Sequence, residues 1–205
     1  MFDAQARKLI DPPLNAIGKQ LANLGIRANW VTVIGLGFGL CAAVCIGYGA
    51  FVAALGFVAL NRLCDGLDGA VARATSASDL GGFLDIIFDF VFYGSIPLAF
   101  AIYAPQENAL PAALLLFSFY LTGASFLAFA ILAQKLNLTT EKQGKKSFFY
   151  LRGLAEGGET IAVFVLFCLF PQWFAVIAIS FAALCLVSAA VRVVDVYSIL
   201  SEIRK

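Results

Sequence analysis

The stretch DGLDGAVARATSASDLGGFLDIIFD, residues 65–89, decides how this chain is read, because it sets four acids between two long apolar runs. One run covers about residues 50–72 and the other about 81–104, each close to the roughly 20 residues that a membrane-spanning helix needs. Asp65 and Asp68 therefore fall at the end of one prospective span, and Asp85 and Asp89 at the beginning of the next. On insertion scales an acid at a helix centre costs about 3 kcal/mol, and less near an end. Four such residues together require compensation.

The spacing indicates what compensates. Asp65 and Asp68 are three apart and Asp85 and Asp89 four apart, so each pair shares one helix face. The short connection between the spans predicts antiparallel neighbours whose acid faces converge at one depth. Carboxylates crowded around one cavity repel each other, and divalent cations relieve that repulsion. An all-oxygen donor set favours magnesium, manganese or calcium over zinc. The chain has no histidine, which removes imidazole bases and His-ligated zinc and leaves carboxylates as the acid–base groups. Gly66, Gly69, Ala70 and Ala72 interleave with the first acid pair. Small residues there serve either close helix packing or room for a flat, phosphorylated ligand. Arg73, one turn beyond Gly69, either pairs with Asp79 or snorkels, or else holds a phosphate or an acid.

Outward from this stretch, the composition agrees with a membrane protein. Of 205 residues, 61% are hydrophobic and 13% charged, against roughly 25% charged in soluble domains. A net charge of +1 offers no basic stripe for nucleic acid. The five cysteines sit in apolar runs without a CxxC pair and read as small hydrophobes. Residues 1–27 do not have the pattern of a cleavable signal sequence. Six spans are expected, at about 29–48, 50–72, 81–104, 110–134, 149–170 and 172–195. If both ends lie on one side, that side receives Arg7, Lys8, Lys19, Arg27, Arg73, Lys135, Lys142, Lys145, Lys146, Arg204 and Lys205. The opposite connections receive no Lys or Arg, which places both termini in the cytoplasm. Residues 1–28 form a juxtamembrane segment, with 29–205 as the six-helix transmembrane domain. In the former, Ile10, Leu14, Ile17, Leu21 and Leu24 make one apolar stripe on a helix capped by Asp11, with Pro12 in its first turn and Gly25 at its end. Such a stripe suits the bilayer interface, with packing on another protein segment as the alternative.

Asp65, two residues, Asp68, Gly69, two residues, Ala72, Arg73, then Gly81, three residues, Asp85, three residues and Asp89 closely resembles the signature of the CDP-alcohol phosphatidyltransferase family. Six spans with the acids on the second and third also match that family. One departure is visible: seven residues separate Arg73 from Gly81, where the family usually has eight, so a shortened turn is expected.

The resemblance implies an all-α membrane enzyme that moves a phosphatidyl group from CDP-diacylglycerol to a small alcohol and releases CMP. By position, Asp65, Asp68 and Asp85 would be ligands of Mg2+ or Mn2+, and Asp89 the general base, also within reach of a second metal. Asp65, Gly69, Ala72 and Arg73 would border the donor nucleotide, with Asn29 and Thr32 of ANWVT helping to line it. Homodimers are common in the family, and the bacterial inner membrane, with the site on the cytoplasmic face, is the implied location. For the acceptor (glycerol phosphate, inositol phosphate, serine or a choline-like alcohol) the candidates are Lys142, Lys145, Lys146, Arg152, Glu156 and Glu159. The basic members equally suit anchoring to anionic lipid. Two other classes fit parts of the pattern. An aspartate-rich membrane prenyltransferase would carry a second acid motif and more spans. A cation transporter would place its acids near the midplane and show internal repeats.

Overall fold

The structure is a computed structural model that describes residues 2–136 and 157–203, with side chains from 11 to 136 and from 157 to 201. Among the described residues the regular secondary structure is helical, without strands. They form α1 (Phe2–Asn23), α2 (Ala28–Gly47), α3 (Phe51–Ala74), α4 (Asp79–Tyr103), α5 (Pro105–Lys135), α6 (Gly157–Leu169), a 3-10 turn (Pro171–Trp173) and α7 (Phe174–Ile203). Four segments are long and apolar enough to cross a membrane: Ala28–Gly47, Asp79–Tyr103, Pro105–Lys135 and Pro171–Ser201. The second expected span, α3, has the length but carries Arg62, Asp65, Asp68 and Arg73. Of the fifth expected span, the part before residue 157 lies outside the described residues.

Two compact units divide the chain, Met1–Pro105 and Gln106–Lys205. In the first, glycines set the geometry. Gly25 (φ 79°) and Gly49 (φ 75°) end α1 and α2 in the left-handed conformation that favours glycine. In each case the next amide reaches back to close the helix, Ile26 N–H to the Leu21 carbonyl at 3.0 Å and Ala50 N–H to the Cys45 carbonyl at 2.8 Å. A Cβ on Gly35 would stand 2.9 Å from Cys64 Cβ, and one on Gly39 would stand 2.7 Å from the Phe92 ring. The absence of side chains at these two positions lets α2 lie tightly along both α3 and α4.

That arrangement alters one expectation. α2 packs closely on α3 and on α4, whereas α3 and α4 have few close backbone approaches of their own. They run antiparallel all the same. Phe51 at the start of α3 stacks on Phe100 and meets Tyr103 edge-on, with centroids 5.7 and 5.1 Å apart. Farther along, Arg62 meets Asp89 and Tyr93. The result is a cleft between α3 and α4 with α2 as its floor.

The first helix differs from expectation at its start. α1 begins at Phe2, so Asp11 does not cap it, and Pro12 and Pro13 lie within it. Its apolar stripe is divided between two environments. Leu14 is buried against α3, while Ile17 and Leu24 are 44% and 76% exposed. The second unit holds α5, α6 and α7 around buried Leu115, Phe164, Phe167, Phe174 and Cys185. Within it, Arg192 is buried, donates to the Thr122 carbonyl (2.8 Å) and the Ser125 hydroxyl (2.9 Å), and lies over the Phe126 ring.

Candidate active site

All four acids singled out from the sequence line one small pocket of about 20 Å³, together with Thr32, Gly35, Leu36, Asn61, Arg62 and Phe88. That volume suits a single water- or ion-sized occupant. Asp65 and Asp68 come from α3 and Asp85 and Asp89 from α4. The floor belongs to α2, which is why Thr32 and Gly35 appear between acids that are far away in sequence.

The hub of the pocket is Arg62, which lies one turn before Asp65 on α3. Its Nη2 donates to Asp89 Oδ1 at 3.0 Å, and its Nη1 lies 3.6 Å from Asp65 Oδ2. Its Nε donates to Asn61 Oδ1 at 2.8 Å, and Asn61 in turn donates to the Gly35 carbonyl at 2.8 Å. The guanidinium lies over the Phe92 ring, 4.7 Å from its centroid, with the Tyr93 hydroxyl 3.5 Å from Nη1. Residues of α2, α3 and α4 therefore agree on one position for one cation.

Asp68 is the deepest acid, 7% exposed, and its Oδ2 is buried with no hydrogen-bond partner. A buried carboxylate oxygen left without a donor is costly unless something else satisfies it. With the side chains as placed, no three acid or thiol groups among the described residues close around a common point. Two of the acids turn instead toward Arg62. The donor set still suits a hard divalent cation: it is made of oxygens, it lines one pocket, and it includes an orphaned buried oxygen.

A second and larger cavity, about 580 Å³, adjoins the first. It lies within the range typical of small-molecule sites. Its walls include Asn29, Thr32, Asp68, Gly69, Ala72, Gly81 and Asp85, of which Thr32, Asp68 and Asp85 also line the acid pocket. The turn Thr75–Ser78 forms another wall, with the Ser78 hydroxyl accepting from Gly81 N–H at 3.1 Å to cap α4. Only these four residues join α3 to α4.

The small residues among the first acids divide by function. A Cβ on Gly66 would collide with Leu14 at 2.7 Å, and Ala70 already faces Gly18, so these two receive α1. Gly69 and Ala72 face the cavity instead. Arg73 is exposed and donates from Nε and Nη2 to Asn15 Oδ1 at 3.3 and 2.9 Å; its partner is on α1 and is not Asp79.

Of the acceptor candidates, Lys142, Lys145, Lys146, Arg152 and Glu156 lie outside the described residues. Glu159 is exposed in the first turn of α6. Sequence reasoning missed Arg62, Asn61, Tyr93 and Asn15. The one signal available was Arg62 itself, a cation within an apolar run and one turn from Asp65.

Comparison with known proteins bears on the family and the fold. The sequence model of the family described as CDP-alcohol phosphatidyltransferase matches residues 26–194. The chain is 45% identical to Inner membrane protein YnjF of Escherichia coli, over 205 residues and 100% of both chains. It is 38% identical over 100 residues to an archaetidylinositol phosphate synthase of Pyrococcus horikoshii, 48% of this chain and 53% of that one. Among solved structures, the phosphatidylinositol phosphate synthase of Mycobacterium tuberculosis with CDP-DAG bound superposes with a TM-score of 0.73 at 18% identity, covering 90% of this chain and 93% of that one. The likeness to that structure is one of fold.

Proposed function

The chain belongs to the CDP-alcohol phosphatidyltransferase family, and from that premise we propose that it transfers a phosphatidyl group from CDP-diacylglycerol to the hydroxyl of a small alcohol and releases CMP. The observation that carries this reading is that Asp68 and Asp85 belong to both pockets. A carboxylate cluster suited to cations thus opens directly into a cavity with room for a nucleotide.

Asp65, Asp68 and Asp85 would hold Mg2+ or Mn2+, with Asp89 as a further ligand where a second ion binds. The chemistry such an ion supplies is Lewis-acid neutralisation of charge on the pyrophosphate. Asn29, Thr32, Gly69 and Ala72 border the nucleotide, and bulk at either small position would displace it. Arg73 does not itself line the cavity; fixed by Asn15 and next to Gly69, which does, it balances phosphate charge. Asp89 takes the proton from the acceptor hydroxyl as that oxygen bonds to phosphorus, while the bond from phosphorus to the CMP oxygen breaks.

Among acceptors, a phosphorylated polyol is favoured, because one relative, 38% identical over 100 residues, is named as an archaetidylinositol phosphate synthase. Lys142, Lys145, Lys146 and Arg152 would then contact its phosphate, and Glu156 and Glu159 its hydroxyls. The relative named as an inner membrane protein and the four long apolar segments support the inner membrane as its location. We read six spans in residues 29–205 behind the juxtamembrane segment 1–28. Both termini and the site would face the cytoplasm, with the donor's acyl chains remaining in lipid.

The test is to incubate the purified protein with labelled CDP-diacylglycerol, Mg2+ and a panel comprising inositol phosphate, glycerol phosphate, serine and choline. CMP release that depends on one alcohol is the expected result. Cation flux across vesicles with no CMP release from any combination would favour the transporter class and refute the proposal.

A further inference from the structure

Arg62 has no part in the chemistry above, yet it is the most completely held side chain in the acid pocket. It is ion-paired to Asp65 and Asp89, hydrogen-bonded to Asn61 and stacked on Phe92, with its side chain 20% exposed. A snorkelling arginine would send its guanidinium away toward water. Here Asn61, itself anchored on the Gly35 carbonyl, turns the guanidinium toward the two acids.

We propose that Arg62 is a resident counter-ion of the acid pocket: it keeps Asp65 and Asp89 positioned and keeps the pocket's own affinity for divalent cations low, so that cation and pyrophosphate-bearing donor bind together. The inference rests on the reading of the four acids as the cation site of a CDP-alcohol phosphatidyltransferase. Its physical basis is competition. The guanidinium takes an oxygen lone pair of Asp89 and lies beside Asp65, and its positive charge within a few ångströms of an incoming dication opposes that ion in a medium less polar than water. A pyrophosphate carries the negative charge that offsets Arg62, so each ligand strengthens binding of the other, and the coupling is reciprocal. Arg62 is a positioning residue in this account, since it acts through Asp65 and Asp89 and not on the reacting atoms.

Mn2+ binding, followed by the electron paramagnetic resonance of free ion in detergent-solubilised protein, reads this without turnover. In the absence of donor, Arg62→Gln is expected to bind Mn2+ at least about tenfold more tightly than the wild type, because a competing charge has gone. Arg62→Lys, which keeps the charge and loses the fork, should stay within about threefold of the wild type. A merely structural arginine would not separate the two variants in this way. Arg62→Gln should also lower kcat, because Asp89 loses the guanidinium that positions it.

Equal or weaker Mn2+ binding by Arg62→Gln overturns the inference. The wild type provides a second measurement that needs no variant: CDP-diacylglycerol should tighten Mn2+ binding by at least about tenfold, and unchanged affinity overturns the inference equally. Failure of the underlying reading looks different. In that case neither protein binds Mn2+ even with donor present, and Asp68→Asn changes nothing.

Discussion

Asn15 on α1 accepts two hydrogen bonds from Arg73 on the last turn of α3, at 3.3 and 2.9 Å. This pair ties α1 to the stretch that carries the four acids, so α1 forms part of the support of the site. Losing a hydrogen bond to a charged group typically costs about 1.5–3 kcal/mol when the site is shielded and less at an exposed one. Asn15→Ala should therefore raise the KM for CDP-diacylglycerol by roughly three- to tenfold with kcat nearly intact. An unchanged KM would show that Arg73 needs no support from α1.

Glycine-to-alanine substitutions in helices ordinarily stabilise by up to about 1 kcal/mol. Gly18→Ala should do the reverse, because its Cβ would fall 2.6 Å from Ala70 Cβ. Forcing the two helices apart costs about 1–3 kcal/mol. Gly82, where an added Cβ would meet nothing within 4 Å, is the control and should tolerate alanine. Thermal unfolding in one detergent compares the two directly. A stabilised Gly18→Ala would contradict the tight seating of α1 on α3.

Bulk in the larger cavity should exclude the donor and spare the cation site. Gly69 and Ala72 line that cavity and are absent from the walls of the acid pocket, where Arg62 sits. Gly69→Leu and Ala72→Leu should each raise the KM for CDP-diacylglycerol by at least about tenfold and leave donor-free Mn2+ binding unchanged. Normal KM values would place the nucleotide elsewhere.

Asp89→Asn keeps the size of the side chain and removes its basicity. Turnover should fall by at least about a hundredfold, the usual scale of a lost general base, while the protein still folds and binds donor. Chelation of divalent cations should abolish turnover in the wild type, with recovery on adding Mg2+ or Mn2+. Near-normal rates in Asp89→Asn would reassign the base.

The elements legible in the sequence are those bounded by strong local signals. The bounds expected at 29–48, 50–72 and 81–104 agree with the helices Ala28–Gly47, Phe51–Ala74 and Asp79–Tyr103 to within about two residues, although only the first and third are apolar enough throughout to count as membrane spans. Apolar runs and Gly25 and Gly49 mark those boundaries. Ends without such signals fall elsewhere than expected. α5 begins at Pro105, not near 110, because Pro105 and Glu107 start a helix as readily as they end an apolar run. α7 continues to Ile203, beyond 195, because polarity alone does not stop a helix. At α1, Pro12 and Pro13 suit a first turn by local preference, yet they sit inside the helix.

Within the site, the shared face of each acid pair follows from helical spacing. What spacing cannot give is the rotation of one helix against another. That rotation turns Gly66 and Ala70 toward α1, turns Gly69 and Ala72 toward the cavity, and brings Arg62 to Asp89, 27 positions away along the chain. It also inserts α2 beneath the cleft, where spacing alone predicts two acid-bearing helices in direct contact.

In the proposed reading, Asp65, Asp68, Asp85 and Asp89 jointly serve one cation site beside the donor cavity. Anomalous diffraction from crystals grown with Mn2+ and CDP-diacylglycerol tests it most directly. A manganese peak is expected about 2 Å from oxygens of Asp65, Asp68 and Asp85, beside the donor pyrophosphate. Ordered donor with manganese bound elsewhere, and these acids out of reach of it, would show that the four acids do not form the cation site.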